Sequence, residues 1–389
     1  MAKLLINDTT LSAIGDAIRT KNGGTDTYKP SEMPNAILAI AADGLSHTFS
    51  GDCRDLFAGG DWDFVIEQGG VGIQTKNIKD ATNMFSDSKV TQIPFDINLG
   101  YTMIEASSDV GPSLAQAFYQ CQNLVNAPKV VSYKSDDAGH PYLISDMDWM
   151  FYNCYALKTV DLSDISWISY RQYPARTSDV SFERMFYNCF SLRSIDENTL
   201  KEMYYRWKTT KDGLNNGRQF MFYCCHCLDE LRGVRPVSND SMASFCKKSS
   251  RLKDFIFCEP ELDDDGNYYD NFKISLDLST CGWFSGTTVA GMRKYIGDPN
   301  DEKRIIDDAT YQALKDDPDA WTSDVKYSRY NKGSALRTIA SLPQCGEGYS
   351  STIKFEGSAG SATDDGAINT LTEEEIAVAT AKGWTVSLV

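Results

Sequence analysis

Cys224-Cys225-His226-Cys227 sets four soft donor side chains in a row, the residue types that hold zinc. Zinc sites are built from separated ligand pairs, such as Cys-x-x-Cys with a second pair downstream, and no second pair follows here. Cys225 instead falls in step with Cys121, Cys154 and Cys189, as one of a series of small buried thiols that behave as hydrophobes. Glu261-Leu262-Asp263-Asp264-Asp265-Gly266-Asn267 has the look of a calcium loop, but the twelfth position, which needs a bidentate carboxylate, is Phe272. A solvated acidic loop is the better reading, and no metal is expected at either place.

Catalytic chemistry finds little footing. The histidines are His47, His140 and His226, and the chain has no His-Glu-x-x-His, no Gly-x-Ser-x-Gly and no Gly-x-x-x-x-Gly-Lys. A glycosidase needs only two carboxylates at a set separation, and no pair stands out among 54 Asp and Glu. No catalytic residue, no cofactor and no enzymatic activity are expected.

An internal repeat dominates the middle of the chain. Its clearest copies are Met150-Phe151-Tyr152-Asn153-Cys154, Met185-Phe186-Tyr187-Asn188-Cys189 and Met221-Phe222-Tyr223-Cys224-Cys225, each followed by Leu and then by Val, Ile or Leu three residues on. Weaker copies start at Met84-Phe85, Ala117-Phe118 and Phe245-Cys246. The second position falls at 85, 118, 151, 186, 222 and 246, giving gaps of 33, 33, 35, 36 and 24. A period in this range predicts a solenoid. The Leu-x-x-Val-x-Leu tail of each copy reads as a short strand, with the preceding Met-Phe closing a helix or irregular arm, and the rungs stack at about 4.8 Å. The last rung falls at Phe272 to Ser279.

The long periods carry insertions, which in a solenoid emerge on one face, often the binding face. Here they hold Tyr133, His140 and Tyr142; Trp167, Tyr170 and Tyr173; Tyr204, Tyr205 and Trp207; and Tyr268 and Tyr269. Of these, Tyr142, Trp167, Tyr170, Tyr173, Tyr205 and Trp207 are the candidate recognition residues, because Tyr and Trp offer rigid amphipathic area at low entropic cost. The plainer reading is packing against neighbouring rungs or subunits, the commoner fate of aromatics.

The flanks divide into smaller units. Residues 1–44 read as a helical module: Asp8 or Thr9 caps a helix with Leu11, Ile14 and Ile18 on one face, and Pro30 to Pro34 opens a second with Ile37, Leu38 and Ile40. Two such short helices cannot bury their apolar stripes alone, so Leu11, Ile14, Ile18, Met33 and Ile37 must pack on a partner. Residues 45–75 form a β-rich connector that caps the repeats at 76–280. Residues 281–389 form a C-terminal cap with a helical, acidic insertion. Thr372 and Glu375 predict a capping box, Gly383 a helix end, and Trp384 to Val389 a closing strand. The fold class is therefore α/β repeat, a leucine-rich-repeat solenoid between a helical N-terminal module and a C-terminal cap.

Composition narrows the partners. The chain has 389 residues and a formal charge of −16, which disfavours nucleic acid and anionic membrane surfaces. Its 42% hydrophobic residues exclude disorder for most of the length. No run approaches the roughly 18–20 apolar residues of a membrane span, and none of the first residues forms a secretory signal. Eleven cysteines, an odd number, without such a signal favour reduced thiols and assembly in a cytoplasm.

The Met-Phe-Tyr-Asn-Cys…Leu…Val-Asp-Leu-Ser unit resembles the BspA-type leucine-rich repeats of bacterial surface proteins and phage-encoded proteins. Leu371-Thr372-Glu373-Glu374-Glu375-Ile376 through Val386 is similar to the C-terminus of phage and prophage members. Ile6-Asn7-Asp8-Thr9-Thr10-Leu11 through Arg19, with Lys29-Pro30-Ser31-Glu32-Met33-Pro34, resembles the N-terminal leader of tail-fibre and minor tail proteins of tailed phages. The resemblance implies a virion protein, a tail-fibre or baseplate component. Its residues 1–44 would attach to other tail proteins and its solenoid would present the aromatic insertions to a host-surface polymer or protein receptor. Tail symmetry implies a homo-oligomer, with a trimer the first expectation. The alternatives are a bacterial surface adhesin with the same repeats, for which no signal peptide or wall anchor is seen, and a tail enzyme that degrades carbohydrate, for which no motif is seen.

Overall fold

In the computed structural model, successive copies of the Met-Phe motif form tight turns that hydrogen-bond, backbone to backbone, onto the next copy. The structure describes residues 47–61, 73–100, 112–132, 144, 146–165, 181–203, 218–236, 241–242, 244–249, 252, 254–260, 273–279, 281, 283–284, 325–326, 330–356 and 368–389. The Phe85 amide donates to the Ala117 carbonyl (2.7 Å), Phe118 to Met150 (2.9 Å), Phe151 to Met185 (2.9 Å), Phe186 to Met221 (2.9 Å) and Phe222 to Phe245 (2.7 Å). Amides two residues to either side repeat the pattern, as in Asn83 to Ala115 and Asp87 to Tyr119. Within a copy, the intervening amides close three-residue turns, such as Met84 to Ala81 and Ser86 to Asn83.

Of the two expectations at Met-Phe, a helix or an irregular arm, the helix is corrected to a repeated turn. Stacking at strand spacing needs an outward-facing donor at every second residue, and an α-helix turns all its interior donors inward along its own axis. The geometry has a backbone signature. The residues two before and two after the second position hold φ between 53° and 64°: Asn83 and Asp87, Gln116 and Gln120, Trp149 and Asn153, Arg184 and Asn188, Phe220 and Cys224, Ser244 and Lys248.

Among the buried side chains, two columns repeat most regularly. Phe57, Phe85, Phe118, Phe151, Phe186 and Phe222 are buried and stacked, with centroids 4.9, 5.5, 5.1, 5.5 and 5.2 Å apart. Phe57 extends the column one copy before the repeat is legible, and its amide donates to Met84 (2.7 Å) as the pattern requires. The column breaks at Cys246, where Phe222 meets Phe245 edge-on at 79°. Beside it runs a thiol column. Cys121, Cys154, Cys189 and Cys225 each donate Sγ–H to the carbonyl of the preceding copy's phenylalanine, at 2.9 to 3.1 Å, and Ser249 does the same with its hydroxyl at 2.8 Å.

Strands are short and nearly all parallel. β1 (His47–Asp52) pairs with β2 (Ile73–Asp80), and β3 (Ile97–Asn98) pairs with β4 (Val130–Val131). The six-residue helix α1 (Glu197–Glu202) packs on β5 (Glu230–Val234), where Gly233 has φ +78° and a Cβ would lie 2.6 Å from Glu197 Cγ. The tails that follow Leu124 and Leu157 meet at an isolated bridge, Asn126 to Thr159, in place of the expected strands. β6 is Ser241–Met242, β7 is Asp254–Phe257 and β8 is Ser275–Asp277; β5 pairs with β7. β9 (Trp283–Phe284) and β10 (Val325–Lys326) form the antiparallel exception.

The C-terminal segment completes a parallel sheet in the order β12-β11-β8-β6, with β11 at Ser351–Phe355 and β12 at Trp384–Leu388. Helix α2 (Lys332–Ser341) lies on β7. The Thr338 hydroxyl donates to the Phe255 carbonyl (2.7 Å), and Arg232 and Arg337 both hold the Asp254 carboxylate. Helix α3 (Glu373–Ala381) carries both bonds of the expected capping box: Glu375 N–H to Thr372 Oγ1 at 3.2 Å and Thr372 N–H to Glu375 Oε2 at 2.7 Å. Gly383, at φ +81°, turns the chain into β12, where a Cβ would sit 2.8 Å from Cys345 Cβ. Among the described residues no helix is long and apolar enough to cross a membrane.

Candidate functional site

In the repeated turn the residue before the phenylalanine is buried with it, whereas the tyrosine that follows is partly exposed. Tyr119, Tyr152, Tyr187 and Tyr223 are half-buried and stack face to face at 5.1, 4.8 and 4.6 Å, with ring planes within 14°. Stacking covers their faces, so the stripe offers solvent the ring edges and the phenol hydroxyls, one per rung. Burial raises the Tyr152 and Tyr187 pKa values above the ordinary tyrosine range, so both hydroxyls stay neutral and can donate as well as accept.

A second column borders the first, at the left-handed position two residues before each phenylalanine. There Trp149 stacks on Tyr152 (4.8 Å) and Phe220 lies edge-on to Tyr223 (5.7 Å). The Arg184 guanidinium sits between these two rings, 4.7 Å from the Trp149 centroid and 5.0 Å from that of Phe220. Arg184 also pairs with Glu183, and the Lys248 ammonium caps the end of the stripe 5.7 Å from the Tyr223 ring. Cation–π contacts of this kind are worth about 0.5–1 kcal/mol when exposed and more when desolvated.

The backbone makes this column informative. Left-handed φ costs an ordinary L-residue roughly 1–2 kcal/mol, and Asn, Asp and Gly tolerate it best. The copies use Asp55, Asn83, Asp87, Asn153 and Asn188 at such positions, yet Trp149, Arg184 and Phe220 are bulky and carry the same strain, with φ of 59°, 53° and 57°. All three fall on the stripe. Gln116, Gln120, Cys224, Ser244 and Lys248 hold left-handed φ as well, so the strain belongs to the repeated turn, and what sets the patch apart is the size of the side chains placed there.

The acidic residues behind the stripe have a structural role. Asp148 Oδ1 accepts from the Ser181 hydroxyl and from the Glu183 N–H (2.7 Å), tying one copy to the next. Burial pushes its pKa up to about 7, helped by the charges of Asp146 and Glu183 and opposed by those two hydrogen bonds. A proton-holding carboxyl near other carboxylates is what a glycosidase acid looks like, but both of the bonds to Oδ1 hold the ladder together.

Of the residues singled out from sequence, the thiols have clear positions. Cys225 points at the Phe186 carbonyl, and burial raises the Cys225 thiol well above its ordinary range. His226 is fully buried, 5.5 Å from the Phe190 ring, and burial lowers its pKa to about 3. Cys224 occupies a left-handed position of the turn. Among the described residues no group of three His, Cys, Asp or Glu side chains is placed to hold a metal. The apolar residues Leu11, Ile14, Ile18, Met33 and Ile37, the aromatics Tyr142, Trp167, Tyr170, Tyr173, Tyr205 and Trp207, and the acidic run 261–270 lie outside the described residues. Described residues flank these aromatics on either side: Ser132 and Ile144, Ile165 and Ser181, Met203 and Arg218.

Sequence reasoning passed over Tyr119, Tyr152, Tyr187 and Tyr223 because they sit inside the core motif. The available signal is the polar hydroxyl of tyrosine recurring at one fixed position of the motif, at 119, 152, 187 and 223. In comparisons with protein-family models, with curated proteins and with solved structures, nothing matches this chain.

Proposed function

We propose that the stacked copies are one leucine-rich-repeat solenoid and that this solenoid is the host-recognition part of a tail-fibre or baseplate protein of a tailed phage. In this reading residues 1–44 attach the chain to other tail proteins, copies of the chain associate with one another, and the virion is assembled in the host cytoplasm. The role is binding, without catalysis, cofactor, nucleic acid or membrane insertion. Three resemblances support the reading: the leader, the repeat and the C-terminus.

One observation carries the recognition role: Trp149, Arg184 and Phe220 stand beside the stacked Tyr119, Tyr152, Tyr187 and Tyr223 to make one half-buried aromatic stripe. Phenol hydroxyls one rung apart, with Arg184 and Lys248 beside them, suit a polyhydroxylated surface polymer running along the stack. The test replaces all three bulky residues by asparagine, which the left-handed backbone favours. Trp149→Asn/Arg184→Asn/Phe220→Asn is expected to keep the melting temperature of the parent or exceed it, while binding of the full chain to host cells falls about 100-fold or more. Unchanged cell binding by a folded triple variant would remove the stripe from recognition.

A further inference from the structure

Cys246 stands where the six preceding copies carry phenylalanine, and the exchange brings two thiols together. Its Sγ lies 3.1 Å from the Sγ of Cys281, which also sits 3.3 Å from the Cys246 carbonyl oxygen. The two residues are 0% and 1% exposed. Each follows a strand of the same parallel pair, since β6 and β8 are matched Ser241 to Ser275 and Met242 to Leu276. They fall four and five residues beyond the last matched pair, Met242 and Leu276, and it is the sulfur separation itself that shows them to be neighbours. Cys281 continues the thiol column, its Sγ directed at the Cys246 carbonyl as those of Cys154 and Cys189 are at Phe118 and Phe151, and it differs in having a second sulfur beside it where the other copies have a phenyl ring.

We infer that Cys246 and Cys281 are an oxidisable pair, a modification site whose disulfide ties the repeat stack to the C-terminal sheet. The bond needs the sulfurs to close from 3.1 Å to about 2.05 Å, a side-chain adjustment only. A small disulfide such as oxidised glutathione is the oxidant. The Cys281 thiolate attacks one of its sulfurs and expels a glutathione thiolate. The Cys246 thiolate then attacks the mixed disulfide at Cys281 and expels the second. The protein gives up two electrons and two protons, and two glutathione thiols carry them away. Because both sulfurs are buried, the reaction proceeds from a locally opened chain and is slow in the native state.

The full-length chain, incubated with oxidised glutathione in mild urea and then returned to buffer, tests this by non-reducing peptide mapping. The expected result is a cross-link between the peptides carrying Cys246 and Cys281, an intact mass about 2 Da lower, and reversal by dithiothreitol. Cys281→Ser should lose the cross-link. Recovery of both residues as alkylatable thiols after oxidation, or pairing of either with another cysteine, would overturn the assignment.

Discussion

Phe186→Ala is expected to cost about 3–5 kcal/mol and to divide unfolding into two steps. Phe186 is fully buried, with Phe151 stacked on one face at 5.5 Å and Phe222 on the other at 5.2 Å. Truncation leaves a ring-sized cavity that the neighbours cannot fill, because each is held in register by its own backbone bonds, Phe151 to Met185 and Phe222 to Phe245. Each copy touches its neighbours in the stack, so stability is close to a sum of copy and interface terms. One weakened interface then uncouples the copies on either side. Urea unfolding followed by circular dichroism should show a single transition for the parent and two for the variant. Phe186→Leu, which keeps most of the volume, should show a smaller loss and one transition. A variant as stable as the parent would mean that the phenylalanine column is not the core.

Asp148→Asn is expected to stabilise the chain at pH 8 and leave it nearly unchanged at pH 4. Burial raises the folded-state pKa of Asp148 from its ordinary 3.8 to about 7. Between those values the folded chain holds a proton that the unfolded chain has released, so stability falls as pH rises. The contribution of this group is complete below about pH 4 and is lost as pH climbs through about 7. Asparagine is neutral throughout and its carbonyl oxygen can still accept from Ser181 and Glu183, the two bonds that tie the copies together. The gain at pH 8 should be on the order of 1–3 kcal/mol, since Asp148 is only partly screened by solvent. Thermal melts of parent and variant across pH 4 to 8 check this, and parallel curves for the two proteins would place the titrating group elsewhere.

The parts of the structure legible in the sequence are those that repeat chemically. The phenylalanine and cysteine positions recur because each copy must place the same shape against the one before, and both columns run through the described coils. Phe57 escaped notice because its copy has Gly60 where others have cysteine or serine, leaving no second residue to set the register. The turn geometry was hidden for a different reason. Local propensity favours Asn and Gly at left-handed positions, and here they also hold Trp149, Arg184 and Phe220, so composition does not mark them. The stripe those residues line was obscured in turn, since an aromatic inside an apolar motif reads as core. The closeness of Cys246 and Cys281 follows from the pairing of β6 with β8, a long-range match that spacing along the chain does not reveal.

The most direct test of the proposed role is where the chain resides. Immunogold labelling of purified phage-like particles, with antibody raised against the repeat region at 76–280, should place gold at the distal tail. Unlabelled particles, with the antigen found on cells instead, would contradict the tail assignment.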